Sequence, residues 1–198
     1  MQVKKRDGTL EDLNIDKLHK VVQYACEDIS GVSASQVEIN SNIQFYDGIA
    51  SEDVQETLIK SAADLISEET PNYQYVAGRL INYHLRKQVY GTFTPPCLCD
   101  IIQDNIDNGF YDTEFTDLYT KEDINELNDY INHERDEVLT YAAMEQFRGK
   151  YLVQNRATGQ LYETPQVAYM MIAASLFSKY PEETRLQTVK EYYDAIST

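Results

Sequence analysis

The stretch VKKRDGTLEDLNIDKLHKVV, residues 3–22, sets the architecture of the amino-terminal half. Asp7-Gly8 is a two-residue hairpin signal, because both central positions of a type I′ turn need positive φ and this pair tolerates it. Strands are expected over 2–6 and 9–13. From Asn14, a good N-cap, the apolar residues Ile15, Leu18, Val21, Val22, Ala25 and Ile29 recur at helical spacing and predict an amphipathic helix ending near Gly31. The stretch also sets three consecutive cations, Lys4, Lys5 and Arg6, directly before the turn, in a chain with 33 Asp and Glu against 17 Lys and Arg.

Working outward, Ser33 with Gln36 three residues later forms a capping box for a second helix, which Asp47-Gly48 is expected to end. Ser51, followed by Glu52 and Asp53 where the helix dipole favours anions, is expected to cap a third helix carrying Val54, Leu58, Ala62, Leu65 and Ile66 on one face. After Pro71, the residues Tyr73, Val76, Ala77 and Leu80 predict the buried stripe of a fourth helix. That stripe continues at steps of four and three into His84 and Lys87. Gly91 and the run FTPP then break the pattern. Residues 97–148 carry helical stretches, with a turn at Asn108-Gly109 and an N-cap at Thr120. The run KYLVQNRATGQLYE alternates around Ala157-Thr158-Gly159 and predicts a second hairpin. Thr164-Pro165 and Pro181 open the last two helices.

The net charge of -16 repels phosphate backbones, and no long basic run offsets it, which argues against nucleic acid as a partner. With 42% hydrophobic residues the 198-residue chain has material for one large or two small cores. Cys26, Cys97 and Cys99 are odd in number, and Cys97-Leu98-Cys99 is too tight for an easy disulfide or a CxxC metal pair, so reduced thiols are expected. No apolar run approaches the roughly 18 residues of a membrane span and no signal core opens the chain, so a cytoplasmic protein without a membrane partner is expected.

Two readings of the cations compete. His84 and Lys87 can be the end of a helix emerging into water, with Lys87 complementing the dipole. Alternatively the hairpin closes as a lid over the fourth helix, bringing Lys5 and Arg6 toward His84 and Lys87. Four such groups repel one another unless an anion sits between them, and a triphosphate carries enough charge for that role. Glu11 and Asn14 then suit the amino group and ring nitrogen of adenine, and Lys17 can reach ribose or phosphate. Neither common glycine-rich phosphate loop is present.

VKKRDGTLEDLNIDKLHK, SAADLIS, YQYVAGRLINYHLRK and KYLVQNRATGQLYETPQ together resemble the amino-terminal part of the large subunit of an aerobic class I ribonucleotide reductase, through essentially the whole chain. The resemblance implies a mainly α fold: residues 1–92 as an ATP cone, a four-helix bundle capped by a β-hairpin, and 93–198 as a helical domain with one small hairpin. It implies ATP or dATP, with Mg, as allosteric effector. Lys5, Arg6, His84 and Lys87 fall to the phosphates. The segment Glu11, Asp12, Leu13, Asn14, Ile15, Asp16 and Lys17 wraps base and sugar, Val3, Leu18, Phe45 and Val54 form apolar walls, Ser51 sits at the rim, and Gln55 faces the nucleotide near the ribose. Gln55 stands where many dATP-responsive members carry a histidine.

The family's ten-stranded α/β barrel, with its radical cysteines, substrate pocket and specificity site, is expected beyond YYDAIST. The resemblance therefore implies no catalytic residue and no metal ligand here, but a regulatory and scaffolding part of the enzyme. The implied partners are the remainder of the large subunit, a second large subunit and the radical-generating small subunit. Two alternatives carry less support. A free-standing ATP-cone regulator normally adds a DNA-binding module, and paired CxxC motifs and a basic face are missing. A purely structural helical module would leave the basic hairpin as a solvated edge.

Overall fold

A computed structural model describes residues 1–5, 8–42 and 44–198. The chain forms two compact units, the first of residues 1–84 and 137–146, the second of residues 85–136 and 147–198.

The first unit begins with β1 (Gln2–Lys4) and β2 (Leu10–Asp12), paired antiparallel with Val3 opposite Glu11 and Lys4 opposite Leu10. Lys5 N donates to Thr9 O (2.8 Å) and Gly8 N to Lys5 O (2.9 Å), so three residues, not two, separate the last paired positions. Gly8 has φ +86°, the left-handed value that glycine tolerates best. The two-residue type I′ reading is thus corrected to a longer loop that shifts the register; Arg6 and Asp7 themselves lie outside the described residues. Helix α1 (Ile15–Cys26) stops short of Gly31. It buries Val21, Val22 and Ala25, while Ile15, expected on that face, is 71% exposed.

Helix α2 (Ala34–Asn42) ends well before Asp47-Gly48. Its expected Ser33–Gln36 box is bridged by a phenol: Ser33 N donates to the Tyr73 hydroxyl (2.9 Å), which donates to Gln36 Oε1 (2.6 Å). Asp47 instead accepts from Gln2 N, and Gly48 N donates to Gln2 O. These bonds tie the loop to β1 and lead into β3 (Ile49–Ala50), which pairs parallel with β1 and makes the sheet order β2-β1-β3. Two residues of strand are too few for alternation to reveal. Helix α3 (Ser51–Ala63) follows at once, so Ala50 holds the N-cap position expected of Ser51, and Leu65 and Ile66 fall beyond the helix.

Helix α4 (Tyr73–Tyr90) is stopped by Gly91 at φ +74°. Its residues up to His84 belong to the first unit, where Tyr73, Val76, Ala77, Leu80 and Ile81 are buried. Gly78 faces a different neighbour. A Cβ there would lie 2.1 Å from the Leu139 carbonyl oxygen, so this glycine lets the 137–146 segment press against the helix backbone. Arg79 clamps the same segment. Its Nε donates to Glu137 O (3.1 Å) and lies 3.3 Å from Glu137 Oε2, its Nη1 donates to Glu27 O (2.6 Å), and the Tyr24 hydroxyl donates to Glu137 Oε1.

The second unit contains α5 (Leu98–Asp107), α6 (Glu114–Leu118), α7 (Lys121–Tyr130), a 3₁₀ segment His133–Val138 that runs into the first unit, a π-helical turn Phe147–Tyr151, α9 (Pro165–Leu176) and α10 (Glu182–Ser197); α8 (Tyr141–Gln146) belongs to the first unit. Thr120 and Asp123 exchange both bonds of a capping box at α7. The expected second hairpin is a single bridge, Gln154 to Leu161, among the described residues. Ile102, Leu127, Met170, Ala174, Val189 and Tyr193 lie in its core. Beneath them Arg86 Nη2 donates to Asp136 Oδ2 (3.2 Å) and to His133 O (2.8 Å), Gln166 Nε2 donates to Asp136 Oδ1 (3.0 Å), and Tyr193 donates to Gln166 Oε1 (2.6 Å). The additional bonds at each end offset part of the cost of burying the two charges.

Two expectations follow. Gly78→Ala should destabilise the chain by about 2 kcal/mol in urea unfolding, because overpacking against backbone outweighs the roughly 1 kcal/mol that alanine gains in a helix; an unchanged or higher stability would contradict the close approach. Burial and the neighbouring Arg86 charge hold the His133 imidazole down at about 4. Its folded value lies below the unfolded one near 6.5, so the unfolded state takes up the proton first and stability is lost as pH falls from 6.5 toward 4. Over that window His133→Asn should lose less stability than the unmodified chain, by on the order of 1–3 kcal/mol; parallel stability curves would rule the effect out.

Candidate functional site

The parallel rungs Val3–Ile49 and Lys4–Ala50 carry the end of β1 to the start of α3. The ladder ends there, and Ala50 is followed directly by Ser51, the first residue of α3. Under the sheet, Val3, Ile49 and Val54 are buried together, with Leu13, Leu18 and Phe45 packed against them. The four apolar residues named from the sequence, Val3, Leu18, Phe45 and Val54, therefore share one small cluster. Leu13 and Ile49 complete it.

Glu11 stands opposite Val3 and Lys5 follows Val3 by two residues, so both lie on the Val3 face of the hairpin, where Lys5 Nζ is 3.0 Å from Glu11 Oε2, with side chains 38% and 59% exposed. A pair this open contributes little stability and is free to rearrange. Asn14 caps α1, its Oδ1 accepting from Lys17 N at 2.9 Å. That uses one of the two lone pairs of the side-chain oxygen in the cap. Asp12, Ile15, Asp16 and Lys17 are exposed around it, and Leu13 N donates to Met1 O.

On α3, Ser51 and Gln55 are four residues apart and share a face; both are half-buried. Next to Gln55, Glu56 reaches across to α4, where its Oε1 lies 3.5 Å from His84 Nε2. His84 is deeply set, its side chain 8% exposed, whereas that of Glu56 is 45% exposed. Lys87 follows His84 by three residues along α4 and is half-buried. Arg6 lies outside the described residues.

The structure thus joins Lys5 to Glu11, Asn14 to the first turn of α1 and His84 to Glu56. Glu56 is the residue that sequence reasoning missed. A deeply set protonatable group in an acidic protein calls for a carboxylate partner, but nothing in the order of residues says which of 33 acids answers it.

The ATP cone domain family matches residues 1–88, and the ribonucleotide reductase all-alpha domain family matches residues 137–198. Ribonucleoside-diphosphate reductase 1 subunit alpha of Escherichia coli (strain K12) is 53% identical over 196 residues, covering 99% of this chain and 26% of that protein. The corresponding alpha subunit of Haemophilus influenzae is 52% identical over 198 residues, and that of Enterobacteria phage T4 is 40% identical over 200, each covering 100% of this chain and 26% of the relative. The chain spans about a quarter of the length of these relatives. With one domain family on its first 88 residues, the second on its last 62, and matches to the alpha subunit across its whole length, the chain belongs to the ribonucleotide reductase alpha-subunit family.

Proposed function

We propose that the first unit binds ATP or dATP, with Mg, as an effector that sets the overall activity of a ribonucleotide reductase. The ATP cone match over residues 1–88 carries this reading. The geometry supports it. The cationic end of the hairpin is held against the start of α3 by backbone pairing, so a phosphate placed there meets Lys5 on a rigid mount. Exposed Ile15, with Asn14 and Glu11 beside it, offers an apolar face and a donor and acceptor suited to adenine. Arg6, His84 and Lys87 complete the assignment to the phosphates, Asp12, Leu13, Asp16, Lys17 and Gln55 to the base and sugar side, and Ser51 to the rim. For Lys5 to take phosphate and Glu11 to take the adenine amino group, their mutual pair must open. Both ends are well solvated, so opening costs little.

In this reading residues 1–92 are the regulatory cone and 93–198 the start of the helical domain. Reduction of ribonucleoside diphosphates is carried out by the complete large subunit, as a dimer, together with a radical-generating small subunit in the cytoplasm. No residue of this chain is assigned a catalytic role. No helix among the described residues is long and apolar enough to cross a membrane.

Ligand that binds only the folded state stabilises it by RT ln(1 + [L]/Kd), so ATP at about 100 Kd should add roughly 2.7 kcal/mol. Thermal melts with millimolar ATP and dATP test this, and an unchanged melting temperature for both sinks the effector reading. Lys5→Ala should weaken ATP binding about tenfold with little change in the melt of the chain alone, since its pair is exposed.

ATP and dATP differ by one hydroxyl, and regulation needs a residue that binds them differently. Gln55 is the residue assigned there, where the family resemblance implies a histidine in dATP-responsive members. Gln55→His should shift the ratio of ATP to dATP affinity by about five- to tenfold toward dATP, the usual size of one coupling. Calorimetric titration of the two nucleotides reads the ratio, and an identical ratio in both proteins removes Gln55 as the determinant.

A further inference from the structure

His84 presents Nε2 at the boundary between core and solvent, and a carboxylate of the protein itself stands there: Glu56 Oε1, 3.5 Å away, on a side chain 45% exposed while His84 is 8% exposed. The asymmetry decides which partner can move. His84 is packed on α4, whereas much of the Glu56 side chain already lies in water. Lys5 likewise has a carboxylate beside it, the exposed Glu11 at 3.0 Å.

We propose that Glu56 is an affinity- and specificity-determining residue of the nucleotide site: its carboxylate stands where a phosphate must approach His84, and only a highly charged ligand displaces it. The inference rests on the effector reading above and deepens it by naming what the site rejects. A monophosphate or diphosphate brings too few charges to replace Glu56 at His84 while its own oxygens face that carboxylate. A triphosphate gains contacts at several cations at once, and those gains offset the displacement. Glu56 thereby makes the protein respond to triphosphates and ignore their hydrolysis products. Glu11 cannot supply this selection, because the base itself gives it a new donor when Lys5 leaves.

Two forces act in the displacement. The Glu56–His84 contact is lost, a cost that the ligand's own contact with His84 offsets. The larger effect is repulsion between Glu56 and a ligand carrying several negative charges within a few ångströms, which falls only as the carboxylate turns outward. Removing the charge relieves both.

The experiment is calorimetric titration of the full chain with ATP, ADP and inorganic tripolyphosphate, for the unmodified protein, Glu56→Gln, Glu56→Ala and Glu68→Gln. Glu68 is exposed and lies beyond the carboxyl-terminal end of α3, so it controls for the general relief of negative charge in an acidic protein. Glu56→Gln and Glu56→Ala should bind ATP and tripolyphosphate about tenfold more tightly, with a still larger gain for ADP, so that the preference for ATP over ADP narrows; Glu68→Gln should change affinity less than twofold. Unchanged or weaker ATP binding in both Glu56 variants, with the unmodified chain still binding ATP, overturns the proposal and leaves the effector reading in place. An equal gain in Glu68→Gln also overturns it, by reducing the effect to net charge. If neither ATP nor tripolyphosphate binds any of the four proteins, the effector reading falls and this proposal with it.

Discussion

Two parallel rungs, Val3 to Ile49 and Lys4 to Ala50, are the constraint on which the first unit depends. A two-stranded hairpin alone is marginal in water. Here the third strand, although only two residues long, fixes the hairpin to the helix that follows it without a loop. The rungs are reinforced by the bonds of Gln2 with Asp47 and Gly48, and they bury Val3 against Ile49 and Val54. Because side chains alternate along a strand, burying Val3 sends Lys4 to the opposite face and fixes the direction in which the chain leaves toward Lys5. A basic turn on a free hairpin would sample many positions. Paired to β3, the end of β1 leads into Lys5 from a fixed place, and that is what a site for a small anion requires.

What was legible in the sequence was local. The hairpin, helices α1 to α4, the N-cap at Thr120 and the helix stop at Gly91 each follow from neighbours within a few residues, and each is present. The family resemblance was legible for a related reason, since several of its blocks are long uninterrupted runs. What the sequence did not show was made by partners far apart along the chain. Tyr73 stands in for the direct Ser33–Gln36 bond from 40 residues away. The strand Ile49–Ala50 exists because β1 supplies its partner. Ile15 fits the helical stripe by spacing, yet sits at the first position of α1, beyond the reach of the core its later turns bury.

The same lesson holds for Gly78 and Glu56. Gly78 interrupts a good helical pattern, which alone signals only a weak spot; its reason is the carbonyl of Leu139, delivered by a segment some 60 residues downstream. Arg79 and Tyr24 then hold that segment through Glu137. His84 was singled out from the stripe of α4, but its partner on α3 follows only from how the two helices pack. Charge that looks like a plain excess in the composition is, at Glu11 and Glu56, placed opposite the cations that the nucleotide reading needs.

The most direct test of the account is amide hydrogen exchange on the full chain with and without saturating ATP. Slowed exchange should concentrate at Lys5 and Thr9 in the hairpin, at Asn14 to Lys17 where α1 begins, and in the first two turns of α3, with the 150–198 region unchanged. Protection confined to that latter region, or no protection anywhere while ATP is bound, would contradict a nucleotide site built on the β1–β3 mount.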